Sequence, residues 1–129
     1  MGRTGRGGCI AGEGWSVLEA FVTGRWDVEI FETAEAAGAR GAELFLDAAR
    51  ESLAGRGRFY VALSGGSSPV PLFRCLAEEV SRAGIDWRTV HIFWADERCV
   101  PPGHGESNFR LTDELLPSKL PAPGAVSHR

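Results

Sequence analysis

The 129-residue sequence predicts an α/β fold built on a parallel sheet, and three observations carry that prediction. Short runs of aromatic, β-branched and small apolar residues alternate with longer stretches of helical period. The run F-Y-V-A-L over 59–63 is followed at once by two glycines, where the chain must turn hard. The run T-V-H-I-F-W-A over 89–95 carries apolar residues on both faces, as an interior parallel strand does. Strands that alternate with helices are joined by right-handed crossovers, and ligands of such open sheets gather beyond the carboxyl ends of the strands.

Taken in order, residues 1–25 read as a flexible leader, rich in glycine and arginine at its start, with at most a short ordered piece around Val17 to Val22. Residues 26–129 read as part of one domain. Val28, Ile30 and Phe31 predict a first strand, and Thr33 caps a helix with Glu35 near its positive end. That helix is expected to reach about Leu53, with Ala37, Gly41, Leu44, Phe45 and Ala48 as its buried stripe, small enough for close packing. The strand from Phe59 follows. Ser68 is expected to cap a second helix and Pro69 to take its first position, where a fixed φ suits the helix and the missing N–H costs nothing. Leu72, Phe73, Leu76 and Val80 form its buried side, Cys75 is packing, and Gly84 ends it. His91, inside the next strand, is expected to be satisfied by a neighbour. The loop after that strand begins Asp96, Glu97, Arg98, is stiffened by Pro101 and Pro102, and reaches a further helix over 109–116.

Two loops carry chemistry. Strand, glycine turn and helix start put the backbone N–H groups of Gly65, Gly66, Ser67 and Ser68 at the positive end of a helix dipole, a point that attracts an anion and fits phosphate best. The lack of G-K-S or G-K-T after the glycines argues against a nucleotide P-loop, and the lack of G-x-G-x-x-G means that nothing supports dinucleotide binding. If the strands before the two loops are neighbours, Arg98 and the carboxylate loop share one crevice with that turn. A guanidinium grips phosphate through two parallel hydrogen bonds. Ser107 or Asn108 caps the last helix or reaches a sugar hydroxyl. His104 is a candidate general base without a visible orienting partner, and Cys99, beside Arg98, is a weaker candidate nucleophile.

The formal net charge is -3, and every basic residue except Lys119 is arginine, with no long run of one sign, which argues against a nucleic-acid surface. No apolar stretch is long enough to span a membrane. Three cysteines, Cys9, Cys75 and Cys99, show no C-x-x-C spacing, so neither a disulfide framework nor a zinc site is expected, and a reducing, cytoplasmic setting suits them.

The strings S-G-G-S-S-P over 64–69, F-W-A-D-E-R-C-V-P-P over 93–102 and H-G-E-S-N over 104–108, with W-R-T-V leading into the second, resemble 6-phosphogluconolactonases. The resemblance runs from about Trp26 to Arg129. It implies a Rossmann-like, three-layer αβα sandwich and the hydrolysis of 6-phosphogluconolactone to 6-phosphogluconate without metal or organic cofactor. It further implies that Gly65, Gly66, Ser67 and Ser68 hold the phosphate, that Arg98 pairs with it or with ring oxygens, and that Asp96 lines the lactone site, with Ser107 and Asn108 as further substrate contacts. Related glucosamine-6-phosphate deaminases share the turn but usually carry D-E-Y where this chain has Asp96, Glu97 and Arg98. The family's later G-x-G-x-D-G-H-x-A-S-L-F-P motif, whose histidine is taken to activate water, does not occur before Arg129. The chain is therefore read as the N-terminal half of such an enzyme, with weak or no turnover of its own, an unpaired sheet edge and an uncovered apolar face. A non-catalytic phosphosugar-binding module is the alternative.

Overall fold

The computed structural model describes residues 9–10 and 16–129. In chain order the elements are β1 (Val17–Thr23), β2 (Trp26–Phe31), α1 (Ala34–Arg56), β3 (Phe59–Leu63), α2 (Val70–Glu79), β4 (Val90–Trp94), α3 (Asn108–Leu115) and β5 (Val126–His128). Strands β3, β4 and β5 form a parallel sheet in that order, while β1 and β2 pair as a separate antiparallel hairpin. This is the expected alternating α/β architecture, a helix-flanked parallel sheet of Rossmann-like kind. Among the described residues no helix is long and apolar enough to cross a membrane.

The hairpin meets one expectation and corrects another. The ordered piece expected around Val17 to Val22 is the paired strand Val17–Thr23, whose turn to β2 lies at the expected leader's end; residues 1–8 and 11–15 of that expected leader lie outside the described residues. The strand predicted over 28–31 exists but is not part of the parallel sheet. Its two-residue connection decides this, because so short a link joins only antiparallel neighbours. Gly24, at φ 61°, takes the first turn position, where a tight hairpin turn needs glycine. Arg40 of α1 then holds the hairpin with two hydrogen bonds to Glu29, at 2.8 and 3.0 Å, and is itself steadied within the helix by a bond to Glu43 at 3.1 Å.

Thr33 caps α1 as predicted, its Oγ1 accepting from the Ala36 N–H at 3.1 Å. The helix runs three residues past Leu53 to Arg56, and the N–H of Gly57 closes it on the Leu53 carbonyl. Its buried side, however, is Ala36, Gly38, Ala39, Ala42, Phe45, Leu46, Ala49 and Ser52, and of the predicted stripe only Phe45 belongs to it; Leu44 is 54% exposed. Three contacts set this rotation. The Phe45 ring meets Phe59 edge-on at 5.3 Å and lies along Trp87 at 6.3 Å, and Gly38 sits so close to α2 that a Cβ there would lie 2.5 Å from Pro71 Cβ.

Helix α2 starts one residue later than predicted. Pro69 occupies the cap position with helical backbone, no side chain caps the helix, and Ser68 belongs to a turn closed by the Val70 N–H on the Ser67 carbonyl. Phe73, Cys75, Leu76 and Glu79 are buried, with Leu72 and Val80 packed partly against the core. Burial pushes the Cys75 thiol well above its ordinary range, so it is packing and not a nucleophile.

Near the end of the chain β5 adds the third strand of the parallel sheet. In β4 the buried residues Val90 and Ile92 join Phe59 and Leu63 of β3 and the helical residues Phe45, Phe73 and Leu76 in one core. The opposite face carries Tyr60, His91, Phe93 and His128, with Tyr60 and Phe93 substantially exposed. His91 finds its neighbour there, its Nδ1 lying 2.9 Å from His128 Nε2. β4 is thus interior within the sheet and buried on one face only.

Candidate functional site

Parallel pairing places Leu63 beside Trp94, and the Ala95 N–H adds a last bond to the Leu63 carbonyl at 2.9 Å. The two strands end level, so the glycine turn and the Asp96 loop leave one edge of the sheet together. They enclose a cavity of about 230 Å³ lined by Gly66, Arg98, Gly105, Glu106, Ser107, Asn108 and Leu111. Gly66 and Arg98, predicted to face a common pocket, do so. A larger hollow of about 470 Å³ beside Ser52, Arg56 and Phe59 lies at the amino end of β3 and contains none of the predicted residues.

The glycines are required for different reasons. A Cβ on Gly65 would fall 2.0 Å from both Cγ and Oδ1 of Asn108, so the turn touches the start of α3 backbone against side chain. Gly66 has open space around it but sits at φ 84°, a conformation that side chains disfavour. Among the described residues no hydrogen bond engages the N–H groups of Gly66, Ser67 or Ser68, and the Arg98 guanidinium makes no ion pair.

Ser107 and Asn108 line the cavity while serving the protein. The hydroxyl of Ser107, 1% exposed, accepts from the Arg110 N–H at 3.2 Å and so is the cap of α3. Asn108 donates through Nδ2 to the Asp96 carbonyl at 3.1 Å, with Asp96 Oδ2 at 3.4 Å. Asp96, Ser67 and Ser68 are exposed nearby but do not line the cavity. His104 is also outside the lining; its Nδ1 accepts from the Glu106 N–H at 3.2 Å, and Cys99 is exposed in the same loop.

The residue that sequence reasoning passed over is Glu97. Its Oε1 accepts from the N–H groups of Arg98 and Asn108, both at 2.7 Å. Its Oε2 accepts from the Phe109 N–H at 2.9 Å and the Ser107 hydroxyl at 3.0 Å. Burial works against the charge, but these four bonds outweigh it and bring the carboxyl down to about 2. A folded-state value below the unfolded one means that the stabilisation is complete above the ordinary value of 4.5 and is lost as pH falls towards about 2. The stability gap between the native protein and Glu97→Gln should therefore be wide at neutral pH and shrink below it, a trend that thermal melts from pH 7 to pH 3 would reveal; a gap independent of pH would contradict it.

The family described as glucosamine-6-phosphate isomerases/6-phosphogluconolactonase matches residues 32–129. The chain is 40% identical over 101 residues to the 6-phosphogluconolactonase of a Nostoc species, covering 78% of this chain and 40% of that protein. To the probable chloroplastic 6-phosphogluconolactonase 3 of rice it is 44% identical over 75 residues, 58% of this chain and 23% of the rice protein. The solved structure of a 6-phosphogluconolactonase from Shewanella baltica superposes with a TM-score of 0.67 at 34% identity, over 76% of this chain and 40% of that one. The chain thus spans less than half the length of these relatives. Matching the family over residues 32–129 and sharing the fold of its solved member, the chain belongs to the glucosamine-6-phosphate isomerase/6-phosphogluconolactonase family.

Proposed function

We propose that this chain forms the phosphate-holding side of a site for 6-phospho-D-glucono-1,5-lactone, in a cytoplasmic sugar-phosphate enzyme that hydrolyses it to 6-phospho-D-gluconate. One observation carries the reading: Arg98, which makes no ion pair among the described residues, and Gly66, at the head of a turn whose N–H groups have no partner among them, line one cavity. Gly65, Gly66, Ser67 and Ser68 take the phosphate, Arg98 pairs with it or with ring oxygens, and Ser107, Asn108 and Asp96 border the sugar.

Hydrolysis adds water to the lactone carbonyl. The C1–O5 bond breaks, O5 leaves as a hydroxyl after taking up one proton of the water, and the acid formed at C1 gives its other proton to solvent and remains as a carboxylate. The attacking water needs a base near neutrality. Asp96 supports this step from the rim, and His104 is turned to its own loop through Nδ1. Turnover by this chain is accordingly slow or nil. An assay of the chain giving ordinary enzyme rates would overturn that part of the proposal.

Binding is tested separately by titration with 6-phosphogluconate. Losing charge-assisted bonds worth about 1.5–3 kcal/mol, Arg98→Ala should weaken affinity by roughly ten- to a hundredfold. Equal affinity in the variant would sink the assignment. An Arg98→Tyr variant that gained affinity for an aminosugar phosphate would favour the deaminase reading instead.

A further inference from the structure

We propose that Glu97 is the positioning residue of this site: its carboxylate fastens Arg98 to the first turn of α3 and fills the positive end of that helix, which leaves a bound anion to the glycine turn and Arg98. The fastening stands on geometry alone, whereas its consequence for a ligand rests on the function proposed above.

The start of α3 lines the cavity and that of α2 follows the glycine turn that reaches it through Gly66, and both would attract an anion in isolation. At α3 every donor is already used. The N–H groups of Asn108 and Phe109 go to Glu97, that of Arg110 to the Ser107 hydroxyl, and that of Leu111 to the Ser107 carbonyl. A carboxylate offers about four lone-pair directions, and the four donors around Glu97 take them all. Glu97 therefore has no capacity left for substrate or water and is not a base. At α2 the opposite holds: Pro69 and Pro71 have no N–H, Val70 closes on Ser67, and the turn's preceding N–H groups are open. One end is closed by a fixed internal anion, and the other is left for a soluble one.

Arg98 is fixed by the same device. Its N–H is held by the Glu97 carboxylate and its carbonyl accepts from the Val100 N–H at 2.8 Å, so its backbone is tied on both sides while its side chain, at the cavity, has no ion-pair partner among the described residues. This is the arrangement a phosphate clamp needs, because a guanidinium on a mobile loop would lose entropy on each binding event.

The test uses the whole chain and four variants: Glu97→Gln, Glu97→Asp, Arg98→Ala and the Glu97→Gln/Arg98→Ala double. In Glu97→Gln an amide replaces an acceptor with a donor facing donors, and amide hydrogen exchange at Arg98, Asn108 and Phe109 should accelerate by about tenfold or more. Affinity for 6-phosphogluconate should fall by about tenfold, and the double variant should be no weaker than Arg98→Ala alone, because Glu97 acts through Arg98. Inorganic phosphate, which should shift only the amide resonances of residues 65–68 in the native chain, should begin to shift Asn108 and Phe109. A residue with a merely structural role would add its loss to that of Arg98→Ala and leave the phosphate footprint in place, which would overturn the proposal. Should Glu97→Gln not fold, Glu97→Asp keeps the charge with a shorter reach, and unchanged exchange and affinity there would overturn it equally. A native chain that binds neither ligand would remove the functional reading, and the exchange rates alone would then decide the role of Glu97.

Discussion

Gly65→Ala is expected to lose ligand binding altogether and to melt well below the native chain. The added methyl would lie 2.0 Å from Asn108 Cγ and Oδ1 and 2.6 Å from its Cβ. Asn108 cannot swing aside, because its side chain is 5% exposed and tied to Asp96, and its N–H is held by Glu97. The two loops must part instead. Overpacking of this kind costs about 1–3 kcal/mol, occasionally more, which in a domain near 100 residues is a fall of roughly 4 °C or more in melting temperature. Parting also separates Gly66 from Arg98, so binding suffers beyond the loss of stability. The check is a double mutant: Asn108→Gly removes the atoms that collide, and Gly65→Ala/Asn108→Gly should be more stable than the two single losses predict. Strict additivity, or native affinity in Gly65→Ala, would show that the loops do not touch.

Three glycines of α1 should respond to alanine in three ways, with Gly38→Ala the most damaging. In a helix interior the exchange alone gains about 1 kcal/mol. At Gly38 a Cβ meets Pro71 Cβ at 2.5 Å and the backbone atoms Leu72 N and Pro71 C at 2.8 Å, none of which belongs to a flexible side-chain end. The overlap should outweigh the gain and leave a net loss of about 1–3 kcal/mol. At Gly41 the neighbour is Leu72 Cδ1 at 3.3 Å, a methyl that can shift, and the net effect should be near zero. At Gly55 nothing lies within 4 Å, so alanine should stabilise, by less than the full propensity difference this near the helix end. Urea titrations of the three variants give the order directly. Gly38→Ala as stable as Gly55→Ala would mean that α2 does not rest on α1 at this point. Because Pro71 lies in the first turn of α2, Gly38→Ala should also disturb the phosphate turn and weaken 6-phosphogluconate binding, which Gly55→Ala should not.

The parts of the fold that were legible share a local cause. Thr33, the 59–63 strand and the glycine turn each announce themselves within a few residues, by side-chain capping, β-branched and aromatic content, or the need for a sharp turn. The meeting of Gly66 and Arg98 was also legible, because parallel strands joined by a right-handed crossover leave little choice about where their carboxyl ends lie. What was misread depended on contacts between distant residues. The face of α1 is ambiguous in sequence because alanine and glycine lie on every side of it, and only Pro71, Phe59 and Trp87 decide the rotation. Val17–Thr23 lacks the clean alternation of a half-buried strand because its hairpin is widely exposed, so Leu18, Val22 and Trp26 give no burial pattern. Ser68 has the right residue type for a cap but the wrong place, since the turn closes through backbone. Glu97 was hidden among three consecutive charges, and its partners are mostly backbone N–H groups, which leave no mark in a sequence.

The level ending of β3 and β4 makes the binding geometry a matter of counting. Each residue advances a strand by about 3.3 Å, so an insertion or deletion of a single amino acid in either strand would raise one wall of the cleft against the other by about that much and reverse which side chains point inward. The ten residues of Phe59–Leu63 and Val90–Trp94 thus act as a ruler. Its length is intolerant to change by even one unit.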